Sequence, residues 1–166
     1  MNKNQSLPGD FPSGHPWDHP RFRSWIAVAR ACQMMQTVLT RELSALDIKP
    51  PHLDILINLF RFEGISQQEL ARKLLVGRSN MSMTLPQMEK RGLIERRGDA
   101  KDKRVLRLYL TTEGRRITEA AMAIQTSLIE RTLSDEPIEQ CMMMAESMER
   151  LVARLHADFA EEAEPA

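Results

Sequence analysis

From Arg21 to Leu46 the apolar residues Trp25, Val28, Cys32, Met35, Leu39, Leu43 and Leu46 recur at steps of three and four, the spacing that lines one face of an α-helix. One long amphipathic helix is predicted there. Pro51 then suits a first helical turn, and Leu53, Leu56, Ile57 and Phe60 form a second stripe that Gly64 is expected to end. "SQQELARKLL" opens with Ser66 and Glu69 at capping-box spacing, which fixes the start of a short helix because each side chain satisfies the other's orphan amide. Val76 and Gly77 read as a turn, and a further helix is predicted from Arg78 to Arg91, closed by Gly92.

Within that last segment Met81, Leu85 and Met88 fall within about 60° of one another on a helical wheel and are expected to face the core. Ser79, Met83, Pro86 and Lys90, flanked by Asn80, Ser82 and Gln87, then occupy the outer face. Pro86 is out of place, since proline inside a helix removes a donor and costs about 3 kcal/mol. Leu85 and Met88 keep phase with Met81, which favours a kinked continuation over a helix that ends near Thr84.

"LIERR" and "VLRLYL" are short strand-like runs on either side of "GDAKD", and they read as a hairpin. Helix, turn, helix and hairpin make a winged helix-turn-helix. After "LTTEG" the chain reads as helical to its end, with a break at "SDEP" where Ser134 or Asp135 can cap and Pro137 can enter the first turn. In the last helix Ile138, Cys141, Ala145, Met148, Val152, Leu155 and Phe159 alternate steps of three and four, a heptad seam. Long helices at both ends of so short a chain need a partner for their apolar faces, and a second copy is the economical one. Cys141, Ala145, Met148, Val152, Leu155 and Phe159 are the expected dimer interface.

Charge sharpens this picture. The formal net charge is zero, yet residues 66–116 hold 13 Lys/Arg against 6 Asp/Glu, a net +7, and residues 117–166 hold 3 against 11, a net −8. A basic middle suits a polyanion, and an acidic tail limits indiscriminate sticking. No apolar run approaches the roughly 18 to 20 residues of a membrane span, and the N-terminus shows no basic-then-apolar export signal, so a cytoplasmic protein with no membrane partner is expected. The first 20 residues carry four prolines and two glycines without periodicity and read as a flexible or partly docked arm. Cys32 and Cys141 form neither a disulfide framework nor a zinc spacing, and His15, His19, His52 and His156 are scattered. With no phosphate loop, nucleophile elbow or metal motif, no catalytic residue, metal site or cofactor is expected.

The ordered set running from the L-A-x-x-L of Leu70 to Leu74, through "MEKRGLIERR" and the D-x-x-D-x-R of Asp99, Asp102 and Arg104, to "LTTEG" resembles the MarR (multiple-antibiotic-resistance regulator) family of bacterial transcription factors. The resemblance extends over roughly residues 22 to 160. It implies a mainly α fold with a small β-hairpin wing, that is, a winged helix-turn-helix flanked by N- and C-terminal dimerisation helices, in the order α1-α2-β1-α3-α4-β2-wing-β3-α5-α6. The expected divisions are the arm at 1–20, an N-terminal dimerisation helix at 21–49, the DNA-binding unit at 50–114 and C-terminal dimerisation helices at 115–162.

A homodimer on a pseudo-palindromic double-stranded operator follows from the resemblance. On the outer face of the reading helix Ser79, Asn80, Ser82 and Gln87 are suited to base edges or phosphates, Met83 to a thymine methyl, and Arg78 to a guanine or phosphate. Arg104 matches the residue that in the family enters the minor groove, with Asp102 orienting it. Lys101, Lys103, Arg97 and Arg107 add phosphate attraction, unless Arg107 is merely a solvated strand residue. Gln67 and Gln68 stand at a helix N-terminus suited to phosphate.

Family members are commonly released from DNA by small phenolic or aromatic-acid ligands or by cysteine oxidation. The expected pocket walls are Trp25, Ala29, Cys32, Gln33, His52, Ile55 and Leu56, with Arg23 or Arg30 as an anion anchor. Both cysteines lie on apolar stripes with no fixed cation in view, and a buried small hydrophobe is the favoured reading of each. A winged-helix protein-interaction module without DNA binding is the alternative from another class.

Overall fold

The computed structural model describes residues 15–74, 78–99 and 105–162, and at 78–80 and 158–162 it describes the backbone alone. Its helices are α1 (Phe22–Leu43), α2 (Pro50–Arg61), α3 (Gln67–Leu74), α4 (Arg78–Lys90), α5 (Thr112–Leu133) and α6 (Ile138–Glu162). Strands β1 (Ile94–Gly98) and β2 (Leu106–Leu110) pair antiparallel, with Ile94 opposite Leu110 and Gly98 opposite Leu106. Two compact units divide the chain, one running to Thr118 and the other starting at Glu119.

In the first unit the predicted stripe 21–46 ends early as α-helix. Leu43 is fully buried, a 3-10 turn covers Ser44–Leu46, and Asp47 takes a left-handed φ of 51°, a conformation that aspartate tolerates better than most residues. Extended Lys49 then leads into Pro50 and Pro51, which open α2 where a missing N–H costs nothing. Leu53, Leu56 and Leu59 bury completely. The α2 helix closes at Arg61 and not at Gly64. Gly64 instead takes φ +79° in the following turn and donates its amide to the Leu108 carbonyl at 2.9 Å.

The resemblance implied three strands; the described residues form two, and the first of the three shrinks to a single bridge between Ser66 and Arg107. The reason is the capping box. The Ser66 amide is taken by Glu69 Oε2 at 2.9 Å while Ser66 Oγ accepts from the Glu69 amide at 3.2 Å, so the backbone turns into α3 at the point where a strand would continue.

The α4 helix runs without interruption through Pro86, whose side chain is exposed. Met81, Leu85 and Met88 are buried, the last two completely. At about 1.5 to 3 kcal/mol per buried side chain, that face offsets the proline penalty. Gly92, at φ +68°, closes the helix, with its amide on the Glu89 carbonyl and that of Leu93 on the Met88 carbonyl. Arg91 pairs with Asp47 at 3.0 Å. The core joins these residues to Leu70, Ile94 and Leu108.

In the second unit the break expected at "SDEP" falls between Leu133 and Ile138, and Pro137 precedes the first turn, accepting from the Gln140 and Cys141 amides. Along α6, Cys141 and Met148 are half-buried, Ile138, Ala145, Val152 and Leu155 are exposed, and the Phe159 side chain lies outside the described residues. No helix among the described residues is long and apolar enough to cross a membrane.

Candidate nucleic-acid interface

The two faces of α4 divide as the spacing predicts. Opposite buried Met81, Leu85 and Met88, the side chains of Ser82, Met83, Pro86, Gln87 and Lys90 face outward, with Met83 67% exposed. Ser82 shares a 380 Å³ hollow with Ser66, Gln67 and Gln68 of the α3 entry and with Val105 and Leu106 at the hairpin. The structure thereby brings together Gln67, Gln68 and Ser82, three of the residues expected at DNA. Met83 and Gln87 line the other flank of α4, beside Pro51, Asp54 and Ile55 of α2. Arg78, Ser79 and Asn80 lie in the first turn of α4 but their side chains are outside the described residues, as are Lys101, Asp102, Lys103 and Arg104 altogether.

Fixed polar contacts hold this surface. Glu89 near the end of α4 accepts from the Arg96 guanidinium, at 2.8 Å from Nε and more closely from Nη2, and from the Arg96 amide at 3.3 Å. Those bonds hold the Glu89 carboxyl below the usual carboxylate range. Hydrogen bonding from the Ser66 hydroxyl, and next from the Ser66 amide, lowers Glu69 in the same way. Hence both ends of the helix-turn-helix are tied by charge-assisted bonds.

Two arginines expected to attract phosphate are otherwise engaged. Arg107 Nε donates to Asp99 Oδ2 at 2.7 Å and its Nη1 to the Gly64 carbonyl at 3.1 Å, so it is held by the protein and is not simply a solvated strand residue. The Asp99 contact leads the causes that raise the Arg107 pKa. Arg97 lies over the Tyr109 ring, 4.5 Å from its centroid, and pairs with Glu95.

The residues expected to wall a ligand pocket are spread out. Arg23, Trp25, Ala29, Arg30, Cys32 and Gln33 are exposed on α1, His52 is half-buried with Nδ1 accepting from the Lys49 amide, and Ile55 and Leu56 are buried. The exposure of Cys32 corrects the expectation of a buried hydrophobe, and Trp25 on the same stripe of α1 is likewise 60% exposed. A 410 Å³ hollow forms instead between α2, the end of α3 and α4, lined by Pro51, Asp54, Ile55, Leu74, Met81, Met83, Thr84 and Gln87. Asp54 sits on its open rim, where crowding by the walls pushes its carboxyl above the usual range. Periodicity gave no sign of Asp54, Thr84 or Leu106 as surface-lining residues. The Glu89–Arg96 tie spans the Gly92 turn, and a seven-residue separation carries no pattern of its own.

The "MarR family" profile matches residues 46–105. The transcriptional regulator HosA of Escherichia coli O127:H6 is 31% identical over 105 residues, covering 61% of this chain and 78% of HosA. Among solved structures, Staphylococcus aureus MepR in its DNA complex superposes with a TM-score of 0.73 at 23% identity, over 78% of this chain and 96% of MepR. CouR of Rhodococcus jostii RHA1, bound to p-coumaroyl-CoA, gives 0.71 at 21% identity, over 84% and 95%. The match to the helix-turn-helix, the identity with HosA and the shared winged-helix fold place this chain in the MarR family of DNA-binding transcriptional regulators.

Proposed function

We propose that the protein is a homodimeric repressor that reads a pseudo-palindromic operator with the outer face of α4 and is released by a small aromatic or phenolic ligand. The observation that carries the reading is the division of α4, where Ser82, Met83 and Gln87 are exposed back to back with a fully anchored core face. Ser82 and Gln87 offer hydrogen bonds to base edges, and Met83 is a soft apolar contact for a thymine methyl. Gln67 and Gln68 are suited to hold the flanking phosphates, with Arg78, Ser79, Asn80, Lys101, Lys103 and Arg104 completing the contact set and Asp102 orienting Arg104. MepR, solved with DNA, supports this use of the fold.

Pairing of two chains is supported by the exposed α6 positions Ile138, Val152 and Leu155, together with Trp25 and Met35 on α1, since monomers rarely leave such rows uncovered. The ligand reading is supported by the α2–α4 hollow, because whatever occupies it touches Met83 and Gln87 and so competes with their use at DNA. Asp54 on the rim accepts a hydrogen bond from a phenol and repels a carboxylate, so the phenolic form of the ligand suits this hollow. Arg23 and Arg30 on α1 remain the anchors for an acid.

The test is selection of the preferred duplex from random-sequence DNA, followed by sedimentation of the complex and competition with phenol-bearing and benzoate-type compounds. Two chains on an inverted repeat, released by a phenol, is the expected result. One chain per duplex, or no sequence preference, would overturn the reading.

A further inference from the structure

Arg107 ties the hairpin to the turn and cap that precede α3, with Gly64 lying 43 positions away in sequence. Its backbone bridges to Ser66, its Nη1 donates to the Gly64 carbonyl at 3.1 Å and lies 3.7 Å from Glu69 Oε2, and its Nε donates to Asp99 Oδ2 at 2.7 Å. Asp99 in turn donates its amide to the Val105 carbonyl at 2.9 Å, at the end of the described hairpin. Glu69 is the carboxylate that caps α3 through Ser66. One guanidinium therefore fastens the far end of the hairpin to the entry of α3, where Gln67 and Gln68 stand.

We propose that Arg107 is a positioning residue for DNA recognition, setting the end of the hairpin at a fixed distance from the α3 N-terminus, and that it makes no phosphate contact itself. Only a planar fork with donors in two directions serves Asp99 and the Gly64 carbonyl at once; an ammonium group supplies charge but not that geometry. Holding two DNA-contacting segments in register removes an ordering cost that free protein would otherwise meet on binding.

A phosphate contact and a positioning role separate experimentally. The full-length protein is titrated against the duplex it selects from random-sequence DNA, across a range of salt concentrations, for wild type, Arg107→Lys, Arg107→Met, Asp99→Asn and the Arg107→Met/Asp99→Asn pair. Positioning gives about tenfold weaker binding for Arg107→Lys with an unchanged salt slope, because no counterion-releasing contact is lost. Asp99→Asn also weakens binding although it removes a negative charge near DNA, and the double variant is no weaker than the worse single one, since both break the same tie.

Wild-type affinity in Arg107→Lys, or a salt slope lowered by about one in Arg107→Met, would overturn the proposal. Tighter binding by Asp99→Asn, as charge alone requires, would do so equally. Thermal melting of each variant identifies loss of fold, and if Arg107→Met melts before it can be assayed, the Asp99→Asn result decides the matter alone.

Discussion

Gly114 is the residue of "LTTEG" at which the close approach of two segments leaves no room for a side chain. A Cβ there would lie 1.8 Å from the Leu93 carbonyl oxygen and 2.8 Å from its carbon, both backbone atoms. Leu93 is the buried residue just after the left-handed Gly92, so relief requires the start of α5 and the end of the α4 turn to part by more than about 1 Å in a close-packed interior. That movement breaks the two bonds that join the segments, the Thr111 amide on the Leu93 carbonyl at 3.2 Å and Thr111 Oγ1 on the Gly92 carbonyl at 2.5 Å, while the Gly114 amide on Thr111 Oγ1 at 2.9 Å lies within the start of α5. Losing two bonds at about 1 kcal/mol each and adding roughly 1 to 3 kcal/mol of overpacking strain destabilises Gly114→Ala by about 3 to 5 kcal/mol. Against a total stability of about 5 to 15 kcal/mol, this is a large fraction. Urea unfolding at fixed protein concentration is the assay, and with a slope near 2 kcal/mol/M the midpoint falls by about 2 M. A midpoint within about 0.5 M of wild type would refute the reasoning.

Pro86→Ala returns an N–H to the middle of α4 and raises the melting temperature, because alanine is the better helix residue; selection from random DNA then yields a changed operator preference, whereas an unchanged preference reduces Pro86 to architecture. Glu89→Gln weakens the tie to Arg96 by about 1 kcal/mol, discounted for a partly exposed pair, and a chemical-denaturation midpoint unmoved by the change would dismiss the tie. Burial, followed by the positive charges of Arg91 and Lys49, holds the His52 pKa below its ordinary 6.5. The unfolded chain therefore binds the proton first, and the His52 contribution to stability is intact above about pH 6.5 and lost as pH falls through the lower folded value. His52→Gln flattens the decline of the urea midpoint below pH 6.5, and an equal decline in both proteins would contradict that origin.

Local patterns in the sequence carried the elements a long way. The steps between Met81, Leu85 and Met88 were enough to orient α4 and hence to expose Ser82, Met83 and Gln87, and Ser66 with Glu69 foretold the α3 entry bond for bond. What could not be read there depends on approach through space. Arg107 looks like any strand cation until Asp99 and Gly64, the latter 43 positions away, arrive beside it. The third strand shrinks, among the described residues, to the one bridge between Ser66 and Arg107, because the chain turns into α3 directly after it. Cys32 and Trp25 sit on a regular apolar stripe, yet periodicity alone does not say whether a face meets its own chain, and here both are exposed.

The most direct test of the account is a footprint of the full-length protein on its selected duplex, repeated with Ser82→Ala/Gln87→Ala. Two protected half-sites centred about one helical turn, roughly 34 Å, apart are expected, with the double variant losing sequence preference while retaining weak, salt-sensitive binding. Protection of a single half-site, or an unaltered sequence preference in the variant, would contradict a dimer that reads DNA through α4.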